Sequence, residues 1–277
     1  MTPDEYCQQR VAARGSSLYY SVLFLPPEQR RAVIALHAFS RELRDAVHEA
    51  ADPGVARAKL AYWRSELQAA MAGGPQHPVA RALAAAGRAG AISEAQFAQM
   101  VDGAQMDLDR NRYPDLAALE AYCQHTAGAV QQLCAKILGY TEEVTLEFAR
   151  TLGVALRLTE IIRDVGRDAQ SNRIYLPLEA LERFGLTDND ILQRREDERF
   201  EQAMAFHIAR ARLHHERAAA LLPRADRRAQ RAGLVLGATS RALLEEIAAL
   251  RGHTLTQSVT LTPLRKLWIA WKTWVKG

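Results

Sequence analysis

The stretch RLTEIIRDVGRDAQSNRIYLP, residues 157–177, places three carboxylates in the middle of an otherwise apolar helical pattern. Glu160, Asp164 and Asp168 are four residues apart, and a helix advances about 100° per residue, so they form one narrow stripe along two turns. Leucine, isoleucine and valine residues flank the stripe, so the acids are expected to point towards an apolar interior. Ionised carboxylates are costly to bury unless a cation or hydrogen bonds compensate them. The stretch therefore predicts a helix whose acids have a positive counterpart.

The sequence leaves two candidates for the positive charge that compensates these acids. The first is an ion-paired helix, in which Arg157, Arg163 and Arg167 neutralise the acids from within the same helix. The second is a divalent-cation site, because hard ions such as Mg²⁺ bind carboxylate oxygens and bridge them to a phosphorylated substrate. The spacing of the acids is compatible with both.

The composition predicts an all-α protein, since the 277 residues are rich in Ala, Leu, Arg and Glu and contain few runs of Val, Ile and Thr. Three cysteines without metal-ligand spacing suggest neither a disulfide framework nor a zinc site, so we expect a cytoplasmic location. The net charge of +4 fits an anionic lipid or diphosphate partner, and no nucleic-acid-binding pattern is present. We find no signal peptide and no apolar run long enough to cross a bilayer.

Helical periodicity is nearly continuous, with short interruptions rich in proline and glycine. None of the interruptions is long enough for a linker, so we expect one domain over residues 1–277. The turn signal in SNRIYLP places Asp168 near the C-terminal end of its helix. The predicted helices span residues 3–14, 17–24, 28–50, 53–72, 77–90, 93–109, 115–138, 142–168, 178–184, 188–194, 197–222, 226–251 and 262–275.

Several segments resemble one known family. LRLTEIIRDVGRDAQSNRIYLP (156–177) resembles the second aspartate-rich motif of the squalene and phytoene synthase family, in which D-x-x-x-D on a helix is followed by R-x-Y-L-P. GSSLYYSVLFLPPEQRRAVIALHAFSRELRD (15–45) looks like the opening segment and first aspartate-rich helix of that family. VDGAQMDLDRNRY (101–113) and LTPLRKLWIAWKTW (261–274) look like later helices, in the same order. Within the family, the chain is most similar to the bacterial presqualene diphosphate synthases associated with hopanoid synthesis.

The resemblance implies an isoprenoid synthase fold, with many helices around a central apolar cavity. It implies a reaction in which two farnesyl diphosphates condense head to head with loss of diphosphate, and in which Mg²⁺ grips the diphosphates. Carried over by position, Asp164, Asp168 and Arg163 are the predicted catalytic residues, and Glu160 joins the two aspartates as a metal ligand. The predicted substrate-binding residues are Ser16, Ser17, Tyr20, Arg41 and Asp45. Helix capping by the hydroxyls and pairing of the arginines with nearby acids are the structural alternatives.

The first aspartate-rich motif departs from the family pattern. Where D-D-x-x-D is expected, the chain has ELRDAVHEA (42–50), so Arg44 and His48 stand at the positions of two metal-binding aspartates, and only Asp45 remains. Arg157 and Glu160 replace an expected glutamine and asparagine. We hypothesise that Arg44, together with a protonated His48, neutralises the carboxylate stripe from across the cavity.

Two functions follow from this pattern. One is a prenyltransferase of the presqualene diphosphate synthase type that uses Mg²⁺. The other is a catalytically weak or inactive family member that acts as a lipid-binding or assembly partner, and a cavity closed by Arg44 and Asp164 would favour it.

The C-terminal segment LRKLWIAWKTWVKG (264–277) has leucine and tryptophan on one side and basic residues elsewhere. An amphipathic helix of this kind lies in membrane interfaces, which predicts peripheral contact with the inner face of the cytoplasmic membrane. The alternative is that the tryptophans dock onto the body of the protein.

Overall fold

Helices account for almost all of the regular structure. The structure is a computed structural model that describes residues 1–50, 52–87 and 94–276. Within these ranges there is no β-strand, and Arg112 and Ile174 form an isolated parallel bridge. The helices are α1 (Pro3–Val11), α2 (Ser17–Val22), α3 (Pro27–His48), α4 (Pro53–Ala72), α5 (Pro78–Gly87), α6 (Glu94–Asp109), α7 (Leu116–Cys123), α8 (Ala129–Leu138), α9 (Val144–Gln170), α10 (Leu178–Arg183), α11 (Asp188–Leu192), α12 (Glu198–Leu221), α13 (Arg231–Ala249) and α14 (Pro263–Lys276).

The expected all-α fold class is confirmed, with two local differences. The segment predicted as one helix over 115–138 is interrupted by a π-helical turn, Gln124–Gly128, between α7 and α8. The helix predicted to start at residue 226 begins at Arg231, because the preceding residues form turns in which Asp226 binds the loop before α9. The ends predicted between residues 88 and 93 lie outside the described residues.

Helix α9, which carries the acid stripe, packs against α12, α8, α13 and the π-helical turn. One cluster of buried apolar side chains lies around α3, and a second surrounds the C-terminal half of α9. The helix ends where Asn172 adopts a φ of 53° and the Arg173 N–H donates to the Asp168 carbonyl at 3.0 Å. A short polar residue in the left-handed region is a common helix terminator. The predicted position of Asp168 near a helix end is therefore confirmed.

Two glycines allow the backbone to approach α9 closely. A Cβ atom on Gly166 would lie 2.1 Å from the carbonyl oxygen of Leu255, and one on Gly153 would lie 2.4 Å from that of Ala127 in the π-helical turn. Next to Gly166, the Thr254 hydroxyl donates to the Ile162 carbonyl at 2.7 Å. Because Gly166, in the RDVGRD motif, has no side chain, the 254–255 segment can lie beside the acid stripe. No helix in the described part is long and apolar enough to cross a membrane.

We predict that Gly166→Ala lowers the free energy of unfolding by about 3 kcal/mol, because the added methyl group must displace the 254–255 backbone. Urea unfolding followed by circular dichroism measures the change. Gly74→Ala is the matched control, since a Cβ there meets nothing within 4 Å, and it should change stability by less than about 0.5 kcal/mol. Equal stability of the two variants would contradict the close approach.

Candidate functional site

The three acids of the stripe have three different surroundings. Asp164 is buried and accepts hydrogen bonds from Arg163 at 2.8 and 2.6 Å and from Arg167 at 2.5 Å. Both guanidinium groups belong to the same helix as the carboxylate. The ion-paired reading of the sequence therefore applies to Asp164.

Glu160 is neutralised partly from across the cavity. Its carboxylate accepts from Arg157 Nη1 at 3.3 Å and from Arg44 Nη2, on α3, at 3.5 Å. Burial raises the pKa of Glu160, but the positive charges of Arg44, Arg157 and Arg163 outweigh it and lower the pKa to about 2. The hypothesised charge pair between α3 and α9 exists, and its acid is Glu160 instead of Asp164.

Asp168 has no hydrogen bond or ion pair to its carboxylate within the described part of the chain. Burial raises its pKa to about 6, because the attraction of Arg157 and Arg167 does not fully offset the loss of solvent and the repulsion from Asp164. A half-buried, unpaired carboxyl group near a helix end is free to bind a ligand. Of the three acids, Asp168 is the one left available for chemistry.

The second replaced position, His48, is also engaged by an acid. His48 Nε2 lies 2.7 Å from Asp107 Oδ2, on α6, and the Tyr175 hydroxyl donates to Asp107 Oδ1 at 2.6 Å. Arg173 Nη1 donates to the Asp107 carbonyl at 2.6 Å. Burial raises the pKa of Asp107, but its hydrogen bond to His48 and the positive charges nearby hold the pKa below its usual value.

The buried side chain of Arg157 connects the surroundings of Glu160 with those of Asp107. Arg157 is 5% exposed, donates to the Tyr122 hydroxyl at 2.8 Å, and lies over the rings of Tyr122 and Tyr175 at 5.4 and 5.1 Å. It also contacts Glu160, as described above. Cationic side chains therefore stand between α3, α6 and α9, where the family resemblance implies metal ions between acids.

A cavity of about 240 Å³ opens beside this layer, between α2, α3, the π-helical turn, α9, α13 and the start of α14. Three cations line it, Arg44, Arg163 and Lys266, against one acid, Glu160. Lys266 Nζ donates to the Gly15 carbonyl at 3.0 Å, and burial together with Arg163 lowers the pKa of Lys266. An excess of fixed positive charge in a cleft attracts anions. The remaining lining residues include Ser17, Leu156, Thr159, Leu236, Leu243, Val259 and Leu261.

The residues do not fit a metal cluster that spans the cavity. In the described ranges, no group of three or more His, Cys, Asp or Glu side chains is arranged to hold a metal ion. Helix α3 presents Arg44 and His48, and two guanidinium groups already occupy Asp164. The predicted joint metal site of Glu160, Asp164 and Asp168 is therefore not assembled, because guanidinium groups occupy two of the three acids.

Ser17 and Arg163 line the cavity, and their contact with a diphosphate stays a prediction. Ser16 instead caps α2 by accepting from the Tyr19 N–H at 3.1 Å. Tyr20 packs edge to face on Tyr19, with ring centroids 5.3 Å apart, and does not line the cavity. The opening segment therefore contributes one hydroxyl group to the site.

The predicted substrate contacts of Arg41 and Asp45 are not supported. Arg41 Nε donates to Asp45 at 2.8 Å, and Asp45 also accepts from Arg10, on α1, at 2.7 Å. Neither side chain lines the cavity, because position 45 is one residue round the helix from Arg44 and faces α1. Asp45 therefore does not replace the missing metal ligands.

The sequence prediction missed Lys266 and Asp107. Lys266 lies in the first turns of α14, and its role depends on that helix packing beside Gly15. Asp107 is 4% exposed, and an aspartate on the apolar side of α6 was the available signal.

Comparison with known proteins agrees with the fold. The squalene/phytoene synthase family matches residues 11–265. The chain belongs to this family. Family members are prenyl-transferring synthases that bind prenyl diphosphates and generally use a divalent metal.

The relatives carry different product names. A presqualene diphosphate synthase of Sinorhizobium fredii is 31% identical over 264 residues, which cover 94% of each chain. A 15-cis-phytoene synthase of Synechocystis is 34% identical over 224 residues, which cover 76% of this chain and 66% of the relative. A solved squalene synthase of Alicyclobacillus acidocaldarius is 26% identical, with a TM-score of 0.77 over 90% of this chain and 94% of that one. These similarities set the family and the fold class.

We predict that Asp168→Asn stabilises the protein by about 1 kcal/mol at pH 7.5 in the presence of a chelator. Burial raises the folded-state pKa of Asp168, so the stability of the folded chain falls as the pH rises from about 4 through 6. The neutral amide removes this loss, and its advantage should vanish near pH 4. Thermal unfolding at several pH values measures it.

Asp164→Asn is the control for this prediction. It removes the acceptor of two guanidinium groups and should destabilise the protein at pH 7.5. If Asp168→Asn also destabilised it, Asp168 would have a partner in solution.

Proposed function

We propose that the chain binds a prenyl diphosphate of the kind used by presqualene diphosphate synthases, and that its head-to-head condensation of two farnesyl diphosphates is weak or absent. The observation that supports this proposal most strongly is the occupation of the first motif by a guanidinium and an imidazole group. Arg44 contacts Glu160, and His48 contacts Asp107, where the family resemblance implies acids that hold metal.

The cavity supports the binding half of the proposal. Arg163 and Lys266 supply charged donors to the lining of the cavity, and Ser17 supplies a hydroxyl group. Guanidinium groups suit phosphate oxygens because their N–H groups match the spacing of those oxygens. The prenyl chain would lie against the leucines that line the remaining wall.

The same cavity argues against rapid condensation. Its volume of about 240 Å³ lies just below the roughly 300–1,000 Å³ that is typical of small-ligand sites, so it suits one prenyl chain better than two. Condensation also requires stabilisation of the negative charge on a departing diphosphate. In this chain that charge would meet Arg44, Arg163 and Lys266, with no acids on α3 to hold Mg²⁺ beside it.

A binding measurement tests the first half. Isothermal titration with farnesyl thiolodiphosphate in the presence of a chelator should show binding to the wild-type chain. The double variant Arg163→Gln/Lys266→Gln should bind at least about tenfold more weakly, because it removes two charged donors. Arg64→Gln, which breaks a surface ion pair with Asp102, is the control and should bind normally. Absence of wild-type binding would contradict the proposal.

An incubation with farnesyl diphosphate and Mg²⁺ tests the second half, with products identified by mass spectrometry. We expect little or no presqualene diphosphate from the wild-type chain. The double variant Arg44→Asp/His48→Asp restores two acids to α3, and it should increase Mg²⁺-dependent product formation if the replaced motif limits turnover. Rapid turnover by the wild-type chain, unchanged or reduced in this variant, would contradict the proposal.

The second candidate function is full presqualene diphosphate synthase activity with Mg²⁺. The unpaired carboxyl group of Asp168 supports it, as does the near full-length similarity to proteins that carry this name. Under this alternative, the same incubation yields presqualene diphosphate at a substantial rate, and the chain acts in the cytoplasm in hopanoid precursor synthesis.

A further inference from the structure

The C-terminal helix leaves one apolar side uncovered. Of the twelve large hydrophobic residues that are exposed in the described ranges, five lie on α14: Leu264, Leu267, Trp268, Trp271 and Val275. Their spacing places them within an arc of about 100° on the helix. Trp268 and Trp271 are 59% and 50% exposed, and their rings stack on each other at 5.1 Å.

The side of α14 next to this arc docks onto the protein. Ala270 is fully buried, and Trp274 packs on Phe24 with ring centroids 5.3 Å apart. Phe24 itself is 40% exposed, lies in the turn between α2 and α3, and extends the exposed apolar surface. Both sequence expectations for this helix therefore have a physical basis, on adjacent sides: Trp274 docks, and Trp268 and Trp271 face outwards.

A row of cations lies along one flank of the apolar stripe. Lys272 and Lys276 border a groove of about 460 Å³ between α9, α12, α13 and α14. Arg227 and Arg241 line the same groove, and no acidic residue does, although Arg241 Nη2 lies 3.8 Å from Glu216 Oε1 outside it. Among the residues that the structure places, neither lysine has an acidic partner. The floor of the groove is apolar and includes Phe148, Leu152, Leu234 and Ile269.

We propose that α14 and this groove form a docking surface for an anionic phospholipid bilayer. The exposed tryptophans enter the interface between headgroups and acyl chains, as tryptophan commonly does in membrane proteins. The four cations contact lipid phosphates, and the apolar floor of the groove accepts part of an acyl chain. Lys266, on the same helix, lines the main cavity, so a chain docked in this way holds the cavity next to the membrane surface.

Charge complementarity favours a bilayer over a second copy of the chain. A symmetric dimer through this surface would bring the unpaired lysines of the two copies together, and like charges oppose such contacts. An anionic bilayer matches both the apolar stripe and the cation row at once. The proposal does not depend on the ligand of the main cavity.

Co-sedimentation of the full-length protein with vesicles tests the proposal. Vesicles of phosphatidylcholine with about one quarter phosphatidylglycerol should bind the wild-type chain at least about tenfold more tightly than vesicles of phosphatidylcholine alone. Binding to the mixed vesicles should weaken in high salt. Equal binding to both vesicle types, or no binding to either, would overturn the proposal.

Surface variants separate the two parts of the docking surface. Trp268→Ser/Trp271→Ser should weaken binding to both vesicle types, whereas Lys272→Gln/Lys276→Gln should weaken binding about tenfold to the anionic vesicles alone. Val55→Ser/Met71→Ser removes exposed apolar residues elsewhere and should bind as the wild type does. Circular dichroism verifies that each variant is folded.

Two further outcomes distinguish other occupants of this surface. Saturable binding of inorganic phosphate in isothermal titration, lost in the lysine variant, with no vesicle binding by the wild type, would show a site for free phosphate instead of lipid. A dimer that dissociates in the tryptophan variant, with no vesicle binding by the wild type, would show that a second copy covers α14. Either result would overturn the proposal.

Discussion

Compensation of negative charge inside an apolar helical interior is the constraint on which the site depends. Helix α9 places Glu160, Asp164 and Asp168 along one stripe in apolar surroundings, where a carboxylate charge is costly unless a partner compensates it. Arg163 and Arg167 compensate Asp164, and Arg44 and Arg157 compensate Glu160. Burial raises the pKa of Asp168 to about 6, and the attraction of Arg157 and Arg167 does not fully offset this rise. The site is thus a layer of paired positive and negative side chains, beside which the carboxyl group of Asp168 has no bonded partner in the described part of the chain.

The positions where the resemblance implies a departure from the family pattern lie close together in this arrangement. Arg44 and Glu160 lie on different helices and contact each other. His48 contacts Asp107 on α6. The effects of two substitutions on stability are coupled when the residues contact each other. A set of substitutions that keeps the local charge balance therefore preserves the fold while it alters the chemistry.

Much of this could be predicted from the sequence. The acid spacing predicted the α9 stripe, and the SNR turn predicted the end of the helix near Asp168, because both are local properties of the chain. The partners could not be predicted in the same way. Assigning Arg44 to Glu160, Arg10 to Asp45, or Lys266 to Gly15 requires the relative rotation of helices that are far apart in sequence. The π-helical turn at 124–128 was missed because it depends on the close approach of Gly153 to its backbone.

We infer that guanidinium and imidazole groups occupy the place where the family resemblance implies metal ions between two helices. A count of the divalent ions that bind with the substrate tests this inference. Mn²⁺ can be titrated into the wild-type chain in the presence of farnesyl thiolodiphosphate and the free ion followed by electron paramagnetic resonance. We expect at most one tightly bound Mn²⁺ per chain, held at Asp168. Three tightly bound ions would show that the cations do not replace the metal.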